Sequence, residues 1–77
     1  MAPQTRPLAG FTAPLGRQQI ELHEIEFDGG GTPLLRLRIR EGSRFTVLDI
    51  DAVTAEKWGA AMSDWGARQI RQARGGE

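Results

Sequence analysis

The stretch that decides the fold is PLLRLRIREGSRFTVLDI, residues 33–50. In its first half, leucine or isoleucine alternates strictly with arginine, and a period of two is typical of a β-strand with two different faces. Pro33 suits the first position of such a strand, where a missing N–H donor is tolerated. The pattern therefore predicts a strand over Pro33–Arg40 with one apolar side and one basic side: Leu35, Leu37 and Ile39 against Arg36, Arg38 and Arg40.

A second strand follows this one after a tight turn. Glu41-Gly42-Ser43 predicts the turn, and Arg44–Ile50 has the β-branched and aromatic residues of a strand. We expect two apolar residues of each strand to face each other across the pair: Phe45 and Val47 opposite Ile39 and Leu37.

The residues before the stretch predict one further strand, over Gln18–Phe27. Its apolar side switches between Leu22 and Ile25, which a strict period of two does not allow. A β-bulge near His23-Glu24 would repair the pattern. Residues 28–32, Asp-Gly-Gly-Gly-Thr, then form a flexible hairpin loop. The sequence therefore predicts a three-stranded antiparallel β-meander.

The residues after the stretch predict one amphipathic helix. It begins at Asp51 or at Thr54, since either side chain can accept hydrogen bonds from the amides of a first helical turn. Its apolar residues recur at helical spacing: Ala55, Trp58, Ala61 or Met62, and Trp65. We expect this helix to pack across one face of the meander with Trp58 towards the sheet, which gives an α+β fold of the order βββα.

The chain ends are predicted to be tails around one domain. Residues 1–16 hold three prolines and two glycines, which disfavour both a helix and a ladder-forming strand, so a flexible N-terminal tail is expected there. The single βββα domain then covers residues 17–74. Gly75-Gly76 ends the helix, and residues 75–77 form a C-terminal tail.

The composition excludes several classes of site and favours self-association. The chain has no cysteine and one histidine, which excludes disulfides, thiolate metal sites and multi-histidine zinc sites. We therefore expect no metal and no cofactor. A chain of 77 residues buries a small core, and small domains without disulfides or metals often gain stability by oligomerising. A homodimer is the expectation.

Charge and hydropathy indicate the compartment and the partners. Ten basic and ten acidic residues give a net charge of zero, whereas a protein dedicated to duplex nucleic acid usually has a basic excess. The sequence has neither an apolar run long enough to cross a bilayer nor the apolar segment of a secretory signal near its first residues. We expect a cytoplasmic protein with no membrane partner, and its preference for arginine over lysine suggests a bacterial source.

Residues that often carry chemistry do not form a catalytic motif here. His23 lies on a strand, and the glycines at 29–31 are followed by Thr-Pro and a strand, not by the helix of a phosphate-binding loop. Four aspartates match no calcium-loop spacing: Asp28, Asp49, Asp51 and Asp64. The sequence therefore predicts that the protein is not an enzyme.

The arginine row is the candidate site. Arg36, Arg38 and Arg40 share a sheet face, and Arg44 begins the neighbouring strand. Acidic residues of the first strand could oppose them as cross-strand pairs: Glu21, Glu24 and Glu26. The same row could instead follow a phosphate backbone or meet an acidic protein surface. Both interpretations stay open at this point.

One segment resembles a known family. The strand Arg44–Ile50 runs into Thr54–Met62, which carries Trp58, and this resembles the transcriptional coactivator PC4-like family, in which a last strand leads into a helix with an early tryptophan. The resemblance implies a dimer whose curved sheet, usually of four strands, binds single-stranded nucleic acid. In this chain the binding sheet would carry Arg36, Arg38 and Arg40.

Two functions follow from these observations. The preferred one is a non-catalytic protein-interaction or accessory module that self-associates and has an unknown protein partner. The alternative is a single-stranded nucleic-acid-binding protein that uses the arginine-lined sheet face.

Overall fold

The computed structural model describes residues 3–75 as an antiparallel sheet of four strands followed by one helix. The elements are β1 (Gln4–Thr12), β2 (Gln19–Glu26), β3 (Leu34–Glu41), β4 (Arg44–Ile50) and α1 (Ala52–Gly75). Neighbouring strands follow one another in chain order, so the sheet is a meander. The predicted α+β class, antiparallel sheet and C-terminal helix are confirmed, and the predicted number of three strands is wrong.

The additional strand lies in the segment that was predicted to be a flexible tail. β1 pairs with β2 along its whole length at the edge of the sheet. An edge strand accommodates proline, because half of its N–H groups point away from the sheet and need no partner, and Pro7 lies in this strand. The turn into β2 is closed by two backbone hydrogen bonds of 2.8 Å, from Ala13 to Gln18 and from Arg17 to Ala13.

The predicted boundary of the C-terminal tail differs from the structure by one residue. Gly75, predicted to start the C-terminal tail, is the last residue of α1. The two residues at each end of the chain, which belong to the predicted tails, lie outside the described residues.

The β-bulge lies in β1 and not in β2. β2 pairs with β3 without interruption, whereas the pairing of β1 with β2 shifts between Pro7 and Ala9 and leaves Leu8 as the extra residue. The predicted bulge near His23-Glu24 is therefore wrong. The switch of apolar side is real, because Ile25 lies on the opposite face from Leu22 and is buried there, only 1% exposed.

The register of β3 and β4 differs by one residue from the prediction. Only Gly42 and Ser43 separate the paired residues Glu41 and Arg44, and Gly42 has the positive φ, 60°, that the first central position of a type II′ hairpin turn requires. A one-residue shift moves every side chain of a strand to the other face. The structure consequently pairs Phe45 with Arg40 and Val47 with Arg38, while Ile39 and Leu37 pair with Thr46 and Leu48.

The resulting sheet has two chemically different faces, since paired residues of adjacent strands share a face. One, which we call the apolar face, carries Phe11, Ile20, Leu22, Leu35, Leu37, Ile39, Leu48 and Ile50. The other, which we call the arginine face, carries Glu21, His23, Arg36, Arg38, Arg40, Phe45, Val47 and Asp49.

Asp51 caps the helix, as one of the two sequence alternatives predicts. Its carboxylate accepts hydrogen bonds from the backbone N–H groups of Val53 and Thr54, at 3.1 and 3.2 Å, and from the Thr54 hydroxyl at 2.5 Å. The Thr54 hydroxyl is the main reason that the pKa of the Asp51 carboxyl lies below its ordinary value. Thr54 therefore supports the cap from inside the first turn.

The predicted packing of the helix across the sheet is wrong. α1 approaches the sheet mainly at β3, and no residue along its described length is buried. Trp58, predicted to face the sheet, is 41% exposed, and Trp65 is 61% exposed. The physical reason is the connection: Asp51 alone separates β4 from α1, which leaves too little chain for the helix to turn back over the strands.

Replacing Asp51 with alanine should lower the melting temperature by roughly 4–8 °C, the shift expected for losing one helix cap in a domain of this size. Because the folded-state pKa of Asp51 is lowered, its stabilisation is complete above the ordinary carboxyl pKa and is lost as the pH falls through the lowered value. Thermal unfolding followed by circular dichroism, at neutral and at acidic pH, measures both effects.

The control is Asp51→Asn, since asparagine caps helices about as well and does not titrate. An alanine variant that melts together with the wild type at neutral pH would contradict the assignment of this cap.

Candidate functional site

The arginine face brings together three of the four predicted site residues. Arg36, Arg38 and Arg40 are alternate residues of β3, which lies between β2 and β4, so both neighbouring strands supply side chains around them. Arg44 pairs with Glu41 in the register and therefore lies on the apolar side of the sheet. The prediction that Arg44 belongs to the same surface is wrong. As for Phe45, the cause is the one-residue difference between the predicted and the observed register of β3 and β4.

Arg36 forms the most regular ion pair of this face. Its Nε and a terminal guanidinium nitrogen donate to the two carboxylate oxygens of Asp49, at 2.8 and 2.9 Å. This two-point geometry is the strong form of an arginine–carboxylate contact. The hydrogen bonds raise the pKa of Arg36 and hold the pKa of the Asp49 carboxyl below its ordinary value. Arg36 is therefore already engaged by a partner within the sheet.

Only one of the three predicted glutamate partners lies on the arginine face. Glu21 is 3.5 Å from Arg38, and His23 contacts the same carboxylate at 3.1 Å. The hydrogen bond with His23 is the main reason that the pKa of Glu21 lies below its ordinary value. Glu24 instead forms an ion pair with Arg6, and Glu26 pairs with Gln4 in the register, both on the opposite side of the sheet. The predicted pairing of Glu24 and Glu26 with the arginines is wrong, because both differ in parity from Glu21.

Phe45 is the residue of this site that sequence reasoning placed on the wrong face. The guanidinium carbons of Arg38 and Arg40 lie 5.6 and 5.7 Å from the centre of its ring, within the range of a cation–π contact. Phe45 as a residue is 57% exposed. Arg40 is oriented further by its Nε, which donates to the Gly42 carbonyl at 3.1 Å. The signal in the sequence was the Gly42-Ser43 pair, which favours a two-residue turn.

The space beside Phe45 is small. A recess of about 120 Å³ is lined by Gln19, Glu21, Arg38, Arg40 and Phe45. Pockets that hold a cofactor or a drug-sized molecule usually enclose about 300–1,000 Å³. The recess is therefore smaller than a typical site for a cofactor or a drug-sized molecule.

The structure places the glycines at 29 and 30 and the four aspartates in turns, on the sheet, at the helix cap and on the helix. Gly29 and Gly30 take positive φ, 89° and 87°, in the β2–β3 turn. Asp49 and Asp51 are an ion-pair partner and a helix cap, as described above. Asp64 lies on α1, and Asp28 lies in the turn. Within residues 3–75, no three histidine, aspartate or glutamate side chains gather closely enough to hold a metal ion.

Across the described part of the chain, no helix combines the length and the apolar character that crossing a lipid bilayer requires.

Comparison with protein-family models gives a match. The family model described as "Family of unknown function (DUF6967)" matches residues 2–68, which include the whole sheet and more than half of α1. No curated protein and no solved structure matches the chain.

The Arg36–Asp49 pair gives a direct test of the face. In a carbon-detected NMR titration, the Asp49 carboxyl should titrate below the ordinary aspartate range, and Arg36→Gln should return it to that range. Arg44→Gln is the matched control, because Arg44 lies on the other side of the sheet and should leave the Asp49 midpoint unchanged. The same Asp49 midpoint in Arg36→Gln and the wild type would disprove the pairing.

Proposed function

The chain belongs to the DUF6967 family, and we propose that it is a non-catalytic accessory module that works by binding protein surfaces, the first of them a second copy of itself. The observation that carries the proposal is the uncovered apolar face. Eight large apolar side chains line one side of the sheet, and not one of them is buried. Contiguous apolar surface of this extent is typical of a protein-interaction site.

The arrangement of the arginine face supports a binding role over a catalytic one. Its histidine and carboxylates contact arginines or one another, and the recess beside Phe45 is too small to enclose a typical substrate. An exposed aromatic ring flanked by two guanidinium groups is a common composition for an interface centre. The arginine face is thus available for a further partner when the apolar face is occupied.

The proposed compartment is the cytoplasm. A cysteine-free chain has no need of an oxidising environment for its stability, which is the feature that supports this placement.

A single-stranded nucleic-acid-binding role is the second candidate, and Phe45 is the observation that favours it. Exposed aromatic rings stack on bases, and neighbouring arginines neutralise the phosphates between them. The fourth strand also agrees with the four-stranded sheet that the PC4-like resemblance implies. Against this role, Asp49 engages Arg36, Glu21 lies beside Arg38, and the chain has no net charge.

Self-association is tested by two substitutions at neighbouring positions of β4. Leu48 lies on the apolar face and Val47 on the arginine face. Leu48 is 45% exposed and Val47 is 53% exposed, so a glutamate side chain at either position can reach solvent in the folded single chain. We expect a dimer for the wild type and for Val47→Glu, and a monomer for Leu48→Glu, because a charge on the apolar face cannot be buried against a partner. Sedimentation velocity measures the result, with circular dichroism as the check of folding. A monomeric wild type at the highest soluble concentration would refute self-association.

The second candidate is tested with a fluorescently labelled oligothymidine. If the protein binds single-stranded nucleic acid, anisotropy titrations should show binding that weakens steeply with salt. Arg38→Glu and Phe45→Ala should each abolish most of this binding. Arg44→Glu is the control with the same charge change on the other side of the sheet. Flat titrations at low salt would exclude this role.

A further inference from the structure

The single chain exposes far more surface than a compact protein of its size. It exposes 6326 Å², whereas a folded monomer of 8.5 kDa exposes about 4,700 Å². Its radius of gyration is 15.4 Å, compared with about 11.5 Å for a compact domain of this length. The excess of roughly 1,600 Å² per chain amounts to about 3,200 Å² for two chains, which is the size of an obligate homodimer interface.

Two exposed apolar surfaces contribute to this excess. The first is the apolar face, which α1 of the same chain contacts only at one end, where Ala52 and Ala55 border a groove of about 520 Å³ together with Leu8 and Leu35. The rest of the face, towards Phe11 and Ile39, has no helix over it. A sheet with one bare apolar face requires a second layer.

The second surface is the apolar side of α1. At 3.6 residues per turn, Trp58, Met62 and Trp65 fall on one side of the helix, and all three are exposed. Gly59 and Gly66 lie next to this row, and no atom from elsewhere in residues 3–75 comes within 4 Å of where a β-carbon would be at either. Glycine weakens a helix interior, and it allows another backbone to approach closely. The charged residues lie on the other sides of the helix: Glu56, Lys57, Asp64, Arg68, Arg71 and Arg74.

The dimensions of the two surfaces agree. The 24 residues of α1 span about 36 Å. The strands have 7–9 residues and span about 23–31 Å, and four strands are about 14 Å across between their outermost axes. One helix is therefore long enough to cross the whole sheet, and its own short connection through Asp51 prevents it from covering its own sheet.

From the proposed self-association and these two surfaces, we infer that two chains exchange helices: α1 of each copy lies across the apolar face of the other, with Trp58, Met62 and Trp65 against the partner's sheet. The arrangement is reciprocal: each helix covers the other chain's apolar face, and the two-fold symmetry closes the assembly at two chains. The arginine faces point outwards on opposite sides of the dimer.

Cross-linking between two distinguishable chains tests the exchange. The chain has no cysteine, so an introduced thiol is unique. One population carries Met62→Cys on the helix, and an isotopically heavy population carries either Leu48→Cys on the apolar face or Val47→Cys on the arginine face. A short bis-maleimide is added to each mixture after the chains have exchanged, and mass spectrometry identifies the hetero-dimer.

The helix–apolar-face pair should give the covalent hetero-dimer, and the helix–arginine-face pair should give none above background. Equal yields of hetero-dimer from the two pairs would overturn the helix exchange, as would a product that joins Met62→Cys only to itself. In either case, a dimer in sedimentation would still support self-association. A monomer in sedimentation would overturn both.

Tryptophan fluorescence gives an independent measurement, because both tryptophans lie on α1. Their emission in the wild-type dimer should lie at shorter wavelength than in the Leu48→Glu chain and should move to longer wavelength when the wild type is diluted below its dissociation constant. Emission that is the same in the dimer and in Leu48→Glu would contradict burial of the helix against the partner.

Discussion

The two-residue turn at Gly42-Ser43 is the constraint on which the chemistry of both sheet faces depends. It pairs Glu41 with Arg44 and thereby determines which side of β4 joins which side of β3. With this register, Leu48 and Ile50 extend the apolar face, and Phe45 joins the arginines. A turn longer by one residue would exchange these two sets, because side chains alternate along a strand. Glycine at the first turn position makes the short turn accessible at no steric cost.

The connection through Asp51 has a comparable effect on the size of the core. Because α1 begins one residue after β4, the helix leaves the sheet without covering it. Ile25 is then the only buried hydrophobic residue among those the structure describes. A core of that size offsets little of the conformational entropy lost by ordering about 70 residues, so the folded single chain is expected to be only weakly stable. The sheet and the helix each retain an apolar surface, and the proposed association with a second chain would remove both from water at once.

The arginine face differs in that its charges are already largely balanced within the sheet. Asp49 binds Arg36 through two hydrogen bonds, and Glu21 lies near both Arg38 and His23. Such pairs are exposed and contribute little to stability, but they reduce the positive potential that a phosphate backbone would meet. What stays accessible is the Phe45 ring with Arg38 and Arg40 beside it. This composition supports the proposed contact with a protein surface more than the proposed binding of nucleic acid.

The sequence by itself determined the features that depend on neighbouring residues. Alternation from Leu35 to Arg40 predicted β3 and its arginine side, because the signal acts over a few residues. Local sequence also limited the helix start to Asp51 or Thr54, and the structure shows that Asp51 is the cap. Only the tertiary structure decided that residues 4–12 form an edge strand, that the bulge lies at Leu8, and that Glu24 pairs away from the arginines. Edge pairing and register depend on hydrogen bonds to a strand distant in sequence, so prolines that disfavour a strand in isolation are tolerated once a partner strand is present. The position of α1 likewise follows from the geometry of a one-residue connection, which its hydrophobic pattern does not encode.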